Sequence, residues 1–238
     1  MSGSWLIARK RNRLDTVDVA WGLAFFGVAW FVYGYHATGR SLLVALLVSI
    51  WGLRLALHIY RRSRIRGDDR RYRELQSAWK GNIWLRAYMS IFLLQGLLVI
   101  IVSLPVILLV EPQRSSSTWL TIGGVIIWVI GFIIEAIADK QLSLYLKTTE
   151  RPKVLQSGLW HFSRHPNYFG ELLQWWAIAL IALQVRFGWF GLIGPLTLSI
   201  LIVFVSGIPP IERHRAKDPE YKQYQKRTSA LLLLPPRH

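Results

Sequence analysis

Residues 157–171 read SGLWHFSRHPNYFGE, and they lead into an apolar run that extends from Tyr168 to Leu183. That run is long enough to cross most of a bilayer, since a full span needs about 20 apolar residues. Polar side chains at the mouth of a membrane helix are costly unless they bind a partner or a ligand. The stretch therefore predicts a membrane protein with a polar site at one face of the bilayer.

The composition supports this prediction. Hydrophobic residues make up 53% of the 238 residues, too apolar for an ordinary soluble domain. The chain contains no cysteine, which excludes a disulfide or a thiolate metal site. We expect no cleavable signal peptide. The basic N-terminus does not lead into a short apolar stretch that ends in a small-residue cleavage site. The length predicts a single domain, residues 1–238.

The apolar runs predict an all-α integral membrane bundle of about six transmembrane helices, with a seventh as the alternative. The predicted spans are 17–35, 42–60, 83–110, 119–138, 168–183 and 187–205. The third run contains Pro105, which is expected to tilt or kink it. The fifth run is short, and its helix is expected to begin inside the Arg-His-Pro segment.

The distribution of positive charge predicts the orientation. Lys and Arg number four in the N-terminal tail, eight in 61–82, five in 139–166 and seven after 211, but one in each other gap. This alternation places both termini in the cytoplasm, with a bacterial inner membrane as the expected location. It also accounts for the net charge of +16 without a nucleic-acid partner.

Several polar residues within or beside the spans fall toward the same predicted side of the membrane. They are Asp18, Arg54, His58, Glu135, Asp139, Asn167, Glu171, Glu212 and His214. A common depth on several helices predicts a pocket that faces the cytosol and holds a cofactor. The alternative is that some of them, such as Asp18 and Arg54, only pair with each other and hold the bundle together.

The spacing of two pairs defines the proposed pocket further. Glu135 and Asp139 are four residues apart, as are Asn167 and Glu171, so each pair shares one helix face. Such faces accept hydrogen bonds from ribose hydroxyls or a carboxamide, or they bind a divalent metal. Because the chain has no His-Glu-x-x-His or similar ligand spacing, we predict no metal.

The motifs resemble a known family. They are Gly158-Leu-Trp with Asn167-Tyr-Phe-Gly-Glu171, Glu135-Ala-Ile-Ala-Asp-Lys-Gln141, His214 with Tyr221-Lys-Gln-Tyr224, Asp18-Val-Ala-Trp-Gly22 and Asp69-Arg-Arg-Tyr72. Together they resemble the C-terminal domain of the membrane steroid 5-alpha-reductase family, and in particular its bacterial branch, long labelled only as a domain of unknown function. The resemblance covers nearly the whole chain after residue 13.

The resemblance implies an NADPH-dependent enzyme that reduces a carbon–carbon double bond conjugated to a ketone. It implies that Asp139, Asn167 and Glu171 hold the nicotinamide and its ribose, while Arg164, His214 and Tyr224 lie nearer the phosphates. The full implied cofactor set is Glu135, Asp139, Lys147, Arg151, Arg164, His165, Asn167, Tyr168, Glu171, His214, Tyr221 and Tyr224.

The resemblance also implies an acid that binds the ketone oxygen. Asp18, Tyr60 and His58 are the candidates, because Ile59 stands where the eukaryotic reductases have the equivalent tyrosine. The substrate is expected to be a lipophilic small molecule, such as a steroid enone. Candidates for lining its chamber are Trp21, Trp51 and Trp175, although tryptophan also favours membrane interfaces.

Two other functions remain open. The stretch from Arg164 to Tyr168 is similar to isoprenylcysteine and phospholipid methyltransferases, which bind S-adenosylmethionine. The pair Glu135 and Asp139, followed by Gln141, favours the reductase. The second alternative is a lipid-binding membrane protein without activity, since fold does not fix function. The sequence leaves the enone and the oligomeric state open.

Overall fold

The computed structural model of the chain describes residues 1–14, 16–66, 79, 81–114 and 117–237. The regular elements within these ranges are all helices. The prediction of an all-α protein is therefore confirmed. Asp69-Arg-Arg-Tyr72, part of the predicted resemblance, lies outside the described residues.

Contacts divide the chain into two compact units. Unit 1 contains Met1–Pro112 and Val185–Gly191, and unit 2 contains Gln113–Gln184 and Leu192–His238. The prediction of a single membrane domain stays a prediction.

Unit 1 is organised around a close pair of antiparallel helices. Its helices are α1 (Ser2–Arg11), α2 (Thr16–Tyr35), α3 (Gly39–Arg66), α4 (Ile83–Val102) and α5 (Leu104–Ile107). Helices α2 and α3 approach most closely at Gly22 and Gly52, where a Cβ added to Gly22 would lie 2.5 Å from the Gly52 carbonyl oxygen. Small residues allow such close packing of membrane helices.

The third predicted span is interrupted near Pro105, as expected. Helix α4 ends at Val102, and α5 begins at Leu104 with Pro105 in its first turn. Proline lacks an N–H and its ring clashes with the preceding turn, which explains the break. Within α4, Tyr88–Leu93 forms a π-helical segment.

Unit 2 contains the longest described helix. Its helices are α6 (Thr118–Lys147), α7 (Leu159–Phe162), α8 (Pro166–Ala182), α9 (Ile193–Ile200), α10 (Ile208–Arg215) and α11 (Pro219–Arg227). A π-helical segment, Leu201–Val205, follows α9. Helix α8 packs against α6, and ten of its seventeen residues are buried.

Among the described residues, five helical stretches are long and apolar enough to cross a membrane. They are Thr16–Tyr35, Gly39–Arg61, Ile83–Val102, Thr118–Lys147 and Gly188–Arg215. The last of these contains α9, the π-helical segment after it and α10. The fifth predicted span falls on α8, which has 17 residues and is not among these five. At 1.5 Å per residue α8 is about 26 Å long, less than the thickness of a bilayer core. The five helices indicate a membrane protein, while the six-span count and the cytoplasmic termini stay predictions.

Candidate functional site

The candidate site lies where α6 and α8 cross in unit 2. The two helices are closest at Gly131 and Gly170, since a Cβ added to Gly170 would lie 2.5 Å from the Gly131 carbonyl oxygen. A second close approach joins Gly124 to Ala177 and Ile181. The order of these contacts shows that the helices run antiparallel.

Two buried carboxylates of α6 face amide side chains of α8 at this crossing. Glu135 and Asp139 are 3% and 7% exposed. Gln174 Nε2 donates to Glu135 Oε2 at 2.7 Å, and Asn167 Nδ2 donates to Asp139 Oδ1 at 3.3 Å. Asp139 and Asn167, one residue from each predicted face, are therefore brought together, and an amide of α8 donates to each carboxylate.

Both amides bury their side-chain oxygen. Neither Asn167 Oδ1 nor Gln174 Oε1 accepts a hydrogen bond from a described residue, although both atoms are buried. The amides cannot simply be flipped, because their nitrogens face carboxylate acceptors. Since buried polar atoms are nearly always paired, these two oxygens mark a place suited to a ligand with donors.

Arg164 connects the start of α8 to α10, to α11 and to the residue that follows α11. Its Nε and Nη2 each lie 2.7 Å from Glu212 Oε1. Its Nη1 donates to the carbonyl oxygens of Gln225, at 3.1 Å, and Thr228. The guanidinium predicted to lie near a phosphate is thus engaged within unit 2, and its contact with a ligand stays a prediction.

Replacing Glu212 by alanine is expected to lower the free energy of unfolding by about 2 kcal/mol. The Arg164 side chain is 10% exposed, and it would keep its carbonyl partners but lose its carboxylate. Glu220→Ala is the matched control, because the pair of Lys153 and Glu220 is exposed and 3.7 Å apart. The control is expected to change stability by less than about 0.5 kcal/mol. Equal losses in thermal unfolding would show that the Arg164 ion pair contributes nothing specific.

Tyr221 and Tyr224 belong to a buried cluster with Val154. The Tyr224 hydroxyl donates to the carbonyl oxygen of Trp160, and the Ser163 carbonyl oxygen lies 3.2 Å away. Burial raises the pKa of both phenols, because the charged form would be poorly solvated. These tyrosines therefore join α11 to the segment before α8, and their predicted role at the cofactor stays a prediction.

The raised pKa of Tyr224 predicts a pH dependence that Tyr224→Phe should remove. At neutral pH the variant is expected to lose about 1 kcal/mol of stability with the hydrogen bond. Above about pH 10 the unfolded tyrosine ionises while the folded one keeps its proton, so the wild type loses stability as pH rises. The stability gap between wild type and variant should narrow there. A gap that stays constant from about pH 8 to about pH 11 would contradict this account.

The other predicted cofactor residues differ in exposure. His165 is 3% exposed, stacks on Tyr168 at 5.6 Å between ring centroids, and places Nε2 3.4 Å from Glu212 Oε1. Glu171 is partly buried, one helical turn after Asn167. The remaining three, Lys147, Arg151 and His214, are exposed.

The candidate acids lie in unit 1. Asp18 is in the first turn of α2, while His58 and Tyr60 lie near the cytoplasmic end predicted for α3. The contact between Gly22 and Gly52, with Ala56 beside it, sets the register of the two helices. One turn before Gly22, Asp18 is therefore level with the turn of α3 that contains His58.

The candidate substrate-lining tryptophans are also divided between the units. Trp51 and Trp175 are fully buried, in units 1 and 2 respectively, and Trp21 is partly buried. Trp51 packs edge-to-face on Phe25, with ring centroids 5.5 Å apart. The catalytic and substrate-binding roles of these unit 1 and unit 2 residues stay predictions.

Sequence reasoning missed Gln174 and the paired glycines. Gln174 is seven residues after Asn167, so both amides lie on one face of α8. An amide inside an apolar run is itself a signal of a polar partner. Gly131 and Gly170 could not be paired in advance, because no helix-to-helix register can be deduced from either helix alone.

Comparisons with known proteins connect the chain to both an uncharacterised and a characterised relative. An uncharacterised protein of Schizosaccharomyces pombe is 24% identical over an alignment of 227 residues that covers 80% of this chain and 66% of that protein. Steroid 5-alpha-reductase DET2 of Gossypium hirsutum is 34% identical over 74 residues, which are 30% of this chain and 29% of that protein. The chain thus spans just under two thirds of the first relative and less than a third of the second.

No solved structure matches the chain significantly. A family model described as a protein of unknown function (DUF1295) matches residues 4–228. This match includes α6, α8 and the buried carboxylates between them, and the partial likeness to DET2 agrees with the predicted resemblance to steroid 5-alpha-reductases. Because the model covers nearly the whole chain, the protein belongs to the DUF1295 family.

Proposed function

We propose that the protein is a membrane-embedded reductase that uses NADPH to reduce the double bond of a lipophilic enone. The observation that supports this most strongly is the buried group of hydrogen-bond acceptors between α6 and α8. The partial likeness to a steroid 5-alpha-reductase agrees with it. A steroid with a ketone conjugated to its ring double bond is the proposed type of substrate.

The acceptor group fits the head of the proposed cofactor. The Asp139 carboxylate, Asn167 Oδ1 and Gln174 Oε1 are all buried, and the two amide oxygens accept no bond from a described residue. A nicotinamide carboxamide and the ribose hydroxyls are hydrogen-bond donors that such oxygens would satisfy. The hydrogen bond from Gln174 Nε2 to Glu135 fixes the orientation of the Gln174 amide. Glu171 is the further proposed ribose ligand on the same helix.

The phosphates would be held by exposed basic side chains of unit 2. Lys147 and His214 are exposed, and Arg151 Nη1 donates to the Leu146 carbonyl oxygen at 2.8 Å while its side chain stays exposed. Lys and Arg are suited to phosphate through charge-assisted hydrogen bonds. Arg164, His165, Tyr221 and Tyr224 are the further proposed cofactor residues, and they also position α8 and α11 through the contacts described above.

For this reaction the chain must bind and orient the cofactor and the substrate, and it must exclude water from the site. When bound, NADPH would supply a hydride for the beta carbon of the enone, and a proton at the alpha carbon completes the reduction. Asp18, His58 or Tyr60 is proposed to donate a hydrogen bond to the ketone oxygen, on which negative charge develops. Trp21, Trp51 and Trp175 are the tryptophans proposed to contact the apolar substrate.

The proposal is tested by isotope transfer. The purified protein is incubated with steroid and terpenoid enones and with NADPH that carries deuterium at C4 of the nicotinamide. We expect a saturated ketone with one deuterium on the beta carbon. A product without that deuterium, or no product from any enone of the series, would contradict the proposed reaction.

A further inference from the structure

Two adjoining clefts open near the C-terminus of unit 2. One, of about 560 Å³, is lined by residues that include His161, Arg227 and Arg237. The other, of about 270 Å³, shares Arg227 and Arg237 and adds Lys226. We call the two together the C-terminal bay. None of these basic residues belongs to the acceptor group between α6 and α8.

Three hydrogen bonds to backbone carbonyl oxygens hold the walls of the bay in place. The Arg237 N–H donates to the Arg227 carbonyl oxygen at 2.8 Å, which brings the two arginines to neighbouring positions. The Leu234 N–H donates to the Phe162 carbonyl oxygen at 3.1 Å, and Ser163 Oγ donates to the Leu231 carbonyl oxygen at 2.8 Å. The C-terminal segment is thus fixed against α7 and α11.

The bay has positive charge that is not neutralised within the described part of the chain. Its described lining contains no Asp or Glu. The side chains of Lys226, Arg227 and Arg237 are exposed, and none forms a hydrogen bond or ion pair with another described side chain. Arg164, which also lines the second cleft, differs because Glu212 neutralises it. The bay therefore suits an anion.

Exposed apolar side chains lie beside these cations. Phe162, Leu232 and Leu234 are 41%, 50% and 48% exposed. Helix α11 also follows soon after Arg215, the end of the last helix that is apolar enough to span a membrane. Cations next to exposed apolar groups at the end of a span are typical of contact with anionic lipid. A free nucleotide would use the cations and stack its base on Phe162, whereas acyl chains would also cover Leu232 and Leu234.

We propose that the C-terminal bay binds the phosphate group of an anionic phospholipid. Arg227 and Arg237 hold the phosphate, Lys226 adds positive charge, His161 offers a ring N–H, and the acyl chains lie along Phe162, Leu232 and Leu234. Phosphatidylglycerol is the probe we choose, because its diester phosphate is not balanced by a cationic headgroup. This proposal does not rest on the proposed reductase chemistry.

The test measures lipid binding to the full chain in detergent by native mass spectrometry. The double variant Arg227→Gln/Arg237→Gln is compared with the wild type for phosphatidylglycerol, phosphatidylcholine, inorganic phosphate and NADPH. We expect the wild type to prefer phosphatidylglycerol over phosphatidylcholine. The double variant should bind phosphatidylglycerol on the order of ten- to thirty-fold more weakly, at about a fivefold loss per arginine.

The matched control is Lys217→Gln/Lys222→Gln, which removes the same charge from exposed positions outside the bay. We expect this control to keep wild-type affinity for phosphatidylglycerol. Arg227→Lys/Arg237→Lys should keep most of the binding and guards against misfolding of the glutamine variant. The proposal would be overturned if the control lost as much affinity for phosphatidylglycerol as Arg227→Gln/Arg237→Gln. It would also be overturned if Arg227→Gln/Arg237→Gln lost none. A loss of affinity for NADPH or inorganic phosphate without a loss for phosphatidylglycerol would overturn it as well.

Discussion

Replacing Gly170 by alanine is expected to lower the free energy of unfolding by about 3 kcal/mol. The new Cβ would lie 2.5 Å from the Gly131 carbonyl oxygen and 2.6 Å from the Glu135 backbone nitrogen. Both atoms belong to the backbone of α6, so no side chain can turn away to make room. The helices must separate, and the loss should exceed the gain of up to about 1 kcal/mol from the higher helix propensity of alanine.

Gly123→Ala is the control for this prediction. Gly123 lies on α6, and a Cβ there meets no atom within 4 Å. The control is therefore expected to be neutral or slightly stabilising, by at most about 1 kcal/mol. Thermal unfolding in detergent would compare the two variants. Equal melting temperatures would contradict the close crossing of α6 and α8 on which the candidate site depends.

Asn167→Ala is expected to weaken NADPH binding at least about a hundredfold while leaving the fold nearly as stable. The side chain donates one weak hydrogen bond of 3.3 Å to Asp139 and buries an oxygen without a described partner. Removing a buried oxygen that is unsatisfied in the folded protein costs little stability. When NADPH is bound, however, loss of the Asn167 oxygen leaves an N–H of the carboxamide or an O–H of the ribose without its acceptor.

Two further variants sharpen the test of Asn167. Glu171→Gln keeps the shape of a neighbouring side chain and removes its charge, and it is also expected to abolish cofactor binding. Gln223→Ala removes an amide of α11 that is exposed, and it should bind NADPH as the wild type does. Unchanged affinity in both Asn167→Ala and Glu171→Gln, measured by titration, would count against the site.

Much of the fold could be predicted from the sequence, because hydropathy is read along one helix at a time. Five predicted runs correspond to helices that are able to span a membrane, and the break near Pro105 follows from its missing N–H. Helix α8 was harder to assign. It begins at Pro166 and buries most of its residues within unit 2, so composition alone does not decide whether it spans the bilayer.

The candidate site was predictable only where it depends on spacing within one helix. The four-residue spacing of Glu135 and Asp139 places both on the buried face of α6. Their partners depend on how α6 meets α8, and that register follows from the contact of Gly131 with Gly170. The engagement of Arg164 by Glu212 joins residues 48 positions apart, which no local pattern reveals.

The measurement that tests the central claim most directly is thermal unfolding of the purified protein with NADPH, NADH and S-adenosylmethionine in turn. A ligand that binds the native state must raise the melting temperature by mass action. We predict that NADPH raises it in the wild type and in Gln223→Ala, but not in Asn167→Ala. Stabilisation by S-adenosylmethionine alone would contradict the reductase and favour a membrane methyltransferase.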